Sequence, residues 1–273
     1  MTDGTLEAVL RRDRLIVASA LGVIAVLAWA YVLWLAAADM DMDGMNMSGF
    51  RMVPAGIGMM APAAAPWSAV EFAFVFVMWA VMMVGMMAPS AAPMILMYAR
   101  VGRQGKIAGK PLAATGWFAA GYFLAWAGFS LAATLVQWVL ERAALLDARM
   151  ASANILLGAF VLIAAGIYQW TPIKSACLAQ CQTPFRFLMS HGGFRSNVLG
   201  CLHLGLLHGT YCVGCCWVLM ALLFVVGVMN VLWIALLALL VLLEKLTPWG
   251  RWVARIAGAI CIASGAWMVF SLP

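Results

Sequence analysis

The chain predicts an all-α, polytopic transmembrane helical bundle of about seven spans with a cytoplasmic N-terminus, and three observations carry that reading. Of its 273 residues, 66% are hydrophobic and 10% charged, with a mean hydropathy of +1.02, outside the usual range of soluble domains. Seven apolar runs, at 15–38, 69–98, 113–139, 151–170, 199–225, 229–247 and 252–271, approach or exceed the roughly 20 residues needed to cross about 30 Å of hydrocarbon. The sixteen Lys and Arg residues fall unevenly about those runs: thirteen lie on the side of the N-terminus, and only Arg51, Arg142 and Arg149 lie on the other. That asymmetry is the positive-inside bias, so the net charge of +6 reports topology and calls for no nucleic-acid partner.

Taken in order, the first run follows Arg11, Arg12 and Arg14 and ends at LAAAD, which also fits a secretory signal. A signal core is only about 7–15 residues long, and this run is longer, so an uncleaved anchor is expected. Residues 39–68 form an extracytoplasmic loop rich in Met and Asp. In the second run Pro89 and Pro93 remove amide donors and predict that the helix bends or ends there. Residues 171–198 read as a cytoplasmic loop. GVMN at 227–230 reads as a tight turn joining the fifth and sixth runs into an antiparallel hairpin, and Pro248 ends the sixth. In lipid each backbone amide must be satisfied within the chain, which selects helices over an open sheet, and scattered Gly, Ala and Ser permit close packing. With no internal repeat and no soluble segment, residues 1–273 read as one integral membrane domain, expected in a bacterial cytoplasmic (inner) membrane.

The chemistry concentrates in HGTYCVGCCW, residues 208–217. At about 100° per residue, Cys212, Cys215, Cys216 and Cys201 all fall within about 80° of His208 on one helix face, whereas His203 lies away from it. Imidazole and thiolate suit Cu(I), Zn(II) or iron. His208 and Cys216 are nevertheless about 12 Å apart along a straight helix, so one ion needs local unwinding at Gly209 or Gly214, or donors from a second helix. Buried cysteines also serve as small hydrophobes, but ionisable groups within a span point first to function. The cysteines are expected to be reduced or metallated.

Met78, Met82 and Met86, spaced i, i+4 and i+8 beside Met83 and Met87, form a thioether stripe. It is either adaptable packing or a ligand column, with Met82 and Met83 expected level with Cys212. Residues 39–60 add Met40, Met42, Met45, Met47, Met52, Met59 and Met60 in a segment where burial does not account for them, a pattern suited to collecting Cu(I) or Ag(I). Cys177 and Cys181, with His191 ten residues on, suggest a cytoplasmic exit site. Glu244 and Lys245 are expected to pair with one another and with headgroups while Lys245 reaches toward water. No phosphate-binding glycine loop, Ser-His-Asp set or catalytic carboxylate pair stands out.

MWAVMMVGMMAPSAAPM (78–94), C-x3-C-x2-P (177–184), HGTYCVGCCWVLM (208–220), GVMNVLW (227–233) and EKLTP (244–248) together resemble the uncharacterised family of predicted metal-binding integral membrane proteins over roughly residues 70–250. The resemblance implies a metal ligand role without naming the metal.

The combined expectation is a membrane protein, more readily a non-enzyme, that binds and moves or delivers a soft transition metal, Cu(I) before zinc or iron. Met40, Met42, Met45 and Met47 collect the ion, Met78, Met82 and Met86 pass it inward, His208 with Cys212, Cys215 or Cys216 holds it, and Cys177 and Cys181 release it. Its partners are then the lipid bilayer, the ion, and a metal chaperone or metal-dependent membrane enzyme. Two alternatives stand beside it: a membrane thiol-disulfide oxidoreductase using Cys212, Cys215 and Cys216, and a structural subunit of a larger membrane complex.

Overall fold

The computed structural model describes residues 3–42, 50–52, 60–62, 66–104, 111–146, 150 and 154–271. In chain order these form α1 (Asp3–Met42), a small ribbon of β1 (Phe50–Met52) and β2 (Met60–Pro62), α2 (Ala69–Gln104), α3 (Pro111–Arg142), α4 (Ile155–Gln169), α5 (Pro172–Gln182), α6 (Pro184–Ser190), α7 (Val198–Ala221), α8 (Leu223–Val226), α9 (Val231–Leu246) and α10 (Gly250–Phe270). The architecture is helical apart from the antiparallel ribbon, in which Met52 and Met60 are cross-strand partners. Met40 and Met42 fall in the end of α1, so the helix runs into the segment read as loop; Met45, Met47 and Met59 lie outside the described residues.

Among the described residues five helical stretches, over Leu15–Ala37, Ala69–Arg103, Leu112–Arg142, Val198–Val226 and Gly250–Phe270, have the length and apolarity to cross a membrane. A sixth is added if α4 and α5, bent by 63° at their junction, count as one broken span. The runs at 151–170 and 229–247 give shorter helices than their hydropathy suggests, because polar caps delimit them. The Asn154 side chain accepts from the Leu156 and Leu157 amides, and Asn230 accepts from Trp233. At the far ends, Thr171–Pro172 turns the chain into α5, and the helix of 16 residues that is α9 stops before Thr247, rising about 24 Å.

Two other expectations change. Helix α2 does not end at Pro89 or Pro93 but continues to Gln104. Between the prolines Ser90 Oγ donates to the Met87 carbonyl at 3.0 Å and Tyr122 Oη approaches the same oxygen at 3.5 Å, and neighbouring helices pack around this stretch, surroundings in which proline persists within a helix. The segment 171–198 is not a plain loop either. It holds α5 and α6, each opened by a proline in its first turn, where proline lacks only an amide that would be unpaired anyway. The turn at 227–230 is present, with Gly227 at φ +96°, but α9 leans on α2 and α10 more than along α7, so the expected simple hairpin is opened.

The closest helix pairs are α3 with α7 and α4 with α10. At the first crossing a Cβ on Gly209 would stand 2.5 Å from Ala125 Cβ and 2.9 Å from the Tyr122 carbonyl, so only hydrogen fits and the backbones touch. Apolar side chains such as Val26, Leu199, Leu232 and Trp267 point outward, as lipid-facing residues do.

Behind α7 lies a buried ionic group. Lys174 Nζ of α5 and Glu244 Oε2 of α9 are 2.7 Å apart with about 1% of either side chain exposed. Gln169 Nε2 donates to Glu244 Oε1 at 3.1 Å and its own carbonyl oxygen accepts from Lys174; Gln182 Nε2 donates to the Glu244 backbone carbonyl at 2.7 Å. The expected pairing of Glu244 with Lys245 and headgroups is therefore wrong. Consecutive helical residues point about 100° apart, so the two face different neighbours, and both are buried.

Two outcomes follow. Gly209→Ala overpacks the α3–α7 crossing and lowers stability by about 1–3 kcal/mol, read as an earlier unfolding midpoint in a denaturing-detergent titration. Glu244→Gln strands the Lys174 charge and costs about 3–5 kcal/mol, whereas Lys174→Met with Glu244→Met recovers most of that loss; thermal melts of the solubilised variants compare them.

Candidate metal centre

The sequence places His208, Cys212, Cys215 and Cys216 on one face of α7, and the fold buries that face: each retains 3% of its surface or less. Four other helices close over it. Tyr122 of α3 and the Cys212 sulfur are hydrogen-bonded at 2.9 Å. Lys245 Nζ of α9 donates to Cys212 Sγ at 2.8 Å and to Ser90 Oγ of α2 at 3.1 Å. From α5, Cys181 approaches Cys212 and Cys215.

Cys181 was expected at a separate exit site. It sits instead at the centre, because α5 folds back onto α7 after the bend at Trp170–Thr171. Gly214 permits that approach: a Cβ there would meet Cys177 Sγ at 2.9 Å. Tyr168 Oη donates to the Gly214 carbonyl at 2.5 Å, tying α4 to the same turn. Cys177 thus lies against α7 beside Cys181, and the ionic group of Lys174 and Glu244 anchors the start of α5. Cys201 stands apart, with its thiol on the Arg195 carbonyl and the Tyr98 hydroxyl. His203 is exposed.

All seven cysteines are free thiols. Cys215 and Cys216 both donate to the Cys212 carbonyl, at 3.1 and 2.9 Å, so their sulfurs fold back along α7. Among the described residues no group of three His, Cys, Asp or Glu side chains is already arranged around a common metal position. Side-chain rotation of Cys215 or Cys216 away from the helix carbonyl is what a shared ion requires.

Met78, Met82, Met83, Met86 and Met87 are all buried in the core that also contains the cysteines. Their depth differs from expectation. The part of α2 tied to Cys212, through Lys245 Nζ, is Ser90, and because α2 runs to Gln104 its midpoint falls near Met86 and Met87. Met82 is consequently about 12 Å, and Met78 about 18 Å, along the helix axis from the level of Ser90. The stripe forms a column leading away from the cysteines, and does not lie opposite them.

Sequence reasoning missed Lys245, Tyr122 and Ser90. One signal was available: adjacent opposite charges on a helix do not face each other, so EK at 244–245 required two separate partners. Which helices supply them is set only by packing.

The profile of the PpoB2 family, described as a copper chaperone, matches residues 76–268, beginning just ahead of the Met stripe and including the whole cysteine centre. No curated protein and no solved structure matches the chain. The match names copper and gives no support to zinc or iron. Since it covers well over half of the sequence, this chain belongs to the PpoB2 copper chaperone family.

Proposed function

We propose that the protein is a membrane-embedded Cu(I) carrier that holds the ion between helices α5 and α7 and hands it on by ligand exchange. Cys212, Cys215 and Cys181 are its principal ligands, with Cys216, Cys177 and His208 as neighbouring donors. The observation that carries this reading is the approach of the half-buried Cys181 of α5 to the buried Cys212 and Cys215 of α7, which removes the difficulty that one straight helix spreads its donors too far along its axis. Thiolate sulfur is the donor class that favours Cu(I) over harder ions.

Charge supports the same assignment. Two thiolates around one Cu(I) leave a unit negative charge in a medium where an uncompensated charge is costly. The Lys245 ammonium, 2.8 Å from Cys212, supplies the compensating positive charge. Met86, Met82 and Met78 then form a thioether column along α2, and Met40, Met42, Met45 and Met47 collect the ion at its far end. In this reading the bundle crosses a bacterial inner membrane seven times with its N-terminus in the cytoplasm, α4 and α9 serving as short crossings. The recipient is a metal chaperone or a copper-dependent membrane enzyme.

Elemental analysis of protein purified without chelators tests the assignment. Near-stoichiometric copper is expected in the parent and its loss in Cys212→Ser and in Cys181→Ser. A copper-free parent carrying a reversible Cys181–Cys212 disulfide would instead favour thiol-disulfide exchange. Replacing Lys245 by Met is expected to retain the ligands but weaken Cu(I) binding by about 10–100-fold, the range seen when groups supporting metal ligands are removed; competition with a colorimetric Cu(I) chelator measures it.

A further inference from the structure

His208 is buried to 3% exposure, yet its Nδ1 has no hydrogen-bond partner. An imidazole in such a position normally satisfies both nitrogens. Its surroundings are rings: Phe187 at 4.9 Å between centroids, Tyr122 at 5.8 Å and Phe118 at 6.1 Å. The first of these leads to a second histidine. Phe187 also lies 4.5 Å from the ring of His191, at the end of α6, and Tyr211 touches both, 6.1 Å from Phe187 and 6.0 Å from His191. The two imidazoles are therefore within one shared ring of each other, the one buried and the other half-buried at the end of the bundle where α7 begins.

His191 is held in the manner of a ligand. Its Nδ1 is 2.8 Å from the Phe187 carbonyl and 3.0 Å from Ser190 Oγ. A carbonyl oxygen only accepts, so Nδ1 carries the proton and Nε2 of the neutral ring keeps its lone pair. A backbone carbonyl on the distal nitrogen is the usual way a metal-binding histidine is oriented. The segment is fixed as well: Pro184 starts α6, and Gly192 and Gly193, at φ +87° and +76°, reverse the chain, with the Gly193 amide donating to the Leu188 carbonyl at 2.8 Å.

We infer that His208 and His191 form a two-step imidazole relay by which Cu(I) leaves the cysteine centre toward the α6 end of the bundle, with Phe187 as the ring that the ion must pass. This inference rests on the proposed copper carriage and adds its way out, which the placement of Cys177 and Cys181 at the centre leaves without an assignment. Cys212 is one helical turn from His208, about 6 Å along the axis. In each step one bond replaces another: the copper–sulfur bond to Cys212 gives way to a copper–nitrogen bond at His208, and that bond gives way to one at His191 Nε2. Copper stays Cu(I) throughout, and neither imidazole gains or loses a proton.

The test uses full-length protein in detergent, loaded with one equivalent of Cu(I), and follows transfer to bathocuproine disulfonate. His191→Asn keeps an amide donor for the Phe187 carbonyl but lacks a nitrogen at the Nε2 position. It is expected to bind as much copper as the parent while releasing it about tenfold more slowly, as one ligand's help at the barrier is lost. Parental load with parental release rate overturns the relay and leaves the carrier standing. Loss of the load itself also overturns the relay, since His191 would then belong to the holding site. A parent that binds no copper overturns the carrier and the relay together. A second measurement needs no variant: Ag(I) added to protein labelled with 15N-histidine is expected to shift His191 Nε2 along with His208, and a response confined to His208 overturns the relay.

Discussion

A lysine amine shut inside a helical bundle must meet acceptors, and that requirement draws this fold to one point. Lys245 donates to Cys212 of α7 and Ser90 of α2, and Cys212 is hydrogen-bonded in turn to Tyr122 of α3. Helices α3 and α9 thus meet α7 at one sulfur, and α2 is joined to it through Lys245. Leaving any of these polar groups unpaired at that depth costs several kcal/mol in lipid-like surroundings (about 1–3 kcal/mol each by protein mutational measures). The contact therefore sets the rotation of α9 about its axis and the depth of α2 relative to α7.

The second constraint acts on α5. Its polar composition would send it to water, but the Lys174–Glu244 pair, supported by Gln169 and Gln182, holds it behind α7. A buried pair of this kind contributes little net stability while being costly to break. Its effect here is positional. It keeps the Cys181 thiol beside Cys212 and Cys215, and the hydrogen at Gly214 leaves room for Cys177. Glu244 and Lys245, adjacent in sequence, thereby hold opposite sides of one centre.

The long helices were legible because a membrane crossing needs an uninterrupted apolar run, and such runs are visible residue by residue. Helices α5 and α6 were not read, although Thr171–Pro172 and Thr183–Pro184 are ordinary helix-start signals; their low hydropathy made a loop the natural reading. The depth of α2 differs from expectation for a local reason, since proline in a water-exposed helix breaks it, whereas packing among neighbouring helices lets α2 continue through Pro89 and Pro93 to Gln104. The shared face of His208, Cys212, Cys215 and Cys216 was legible because helical periodicity alone determines it.

By itself, then, the sequence determined that this protein is a bundle of apolar helices and that one of them carries soft donors on a single face, because both properties depend on spacing along a few turns of chain. Tertiary structure alone decided which partners those donors have. Cys181 is 31 positions from Cys212 and Lys245 is 33 positions beyond it, and no local rule relates such distances. They meet because a bent helix pair and a charge unable to remain unpaired admit few arrangements in which every buried polar group finds its acceptor.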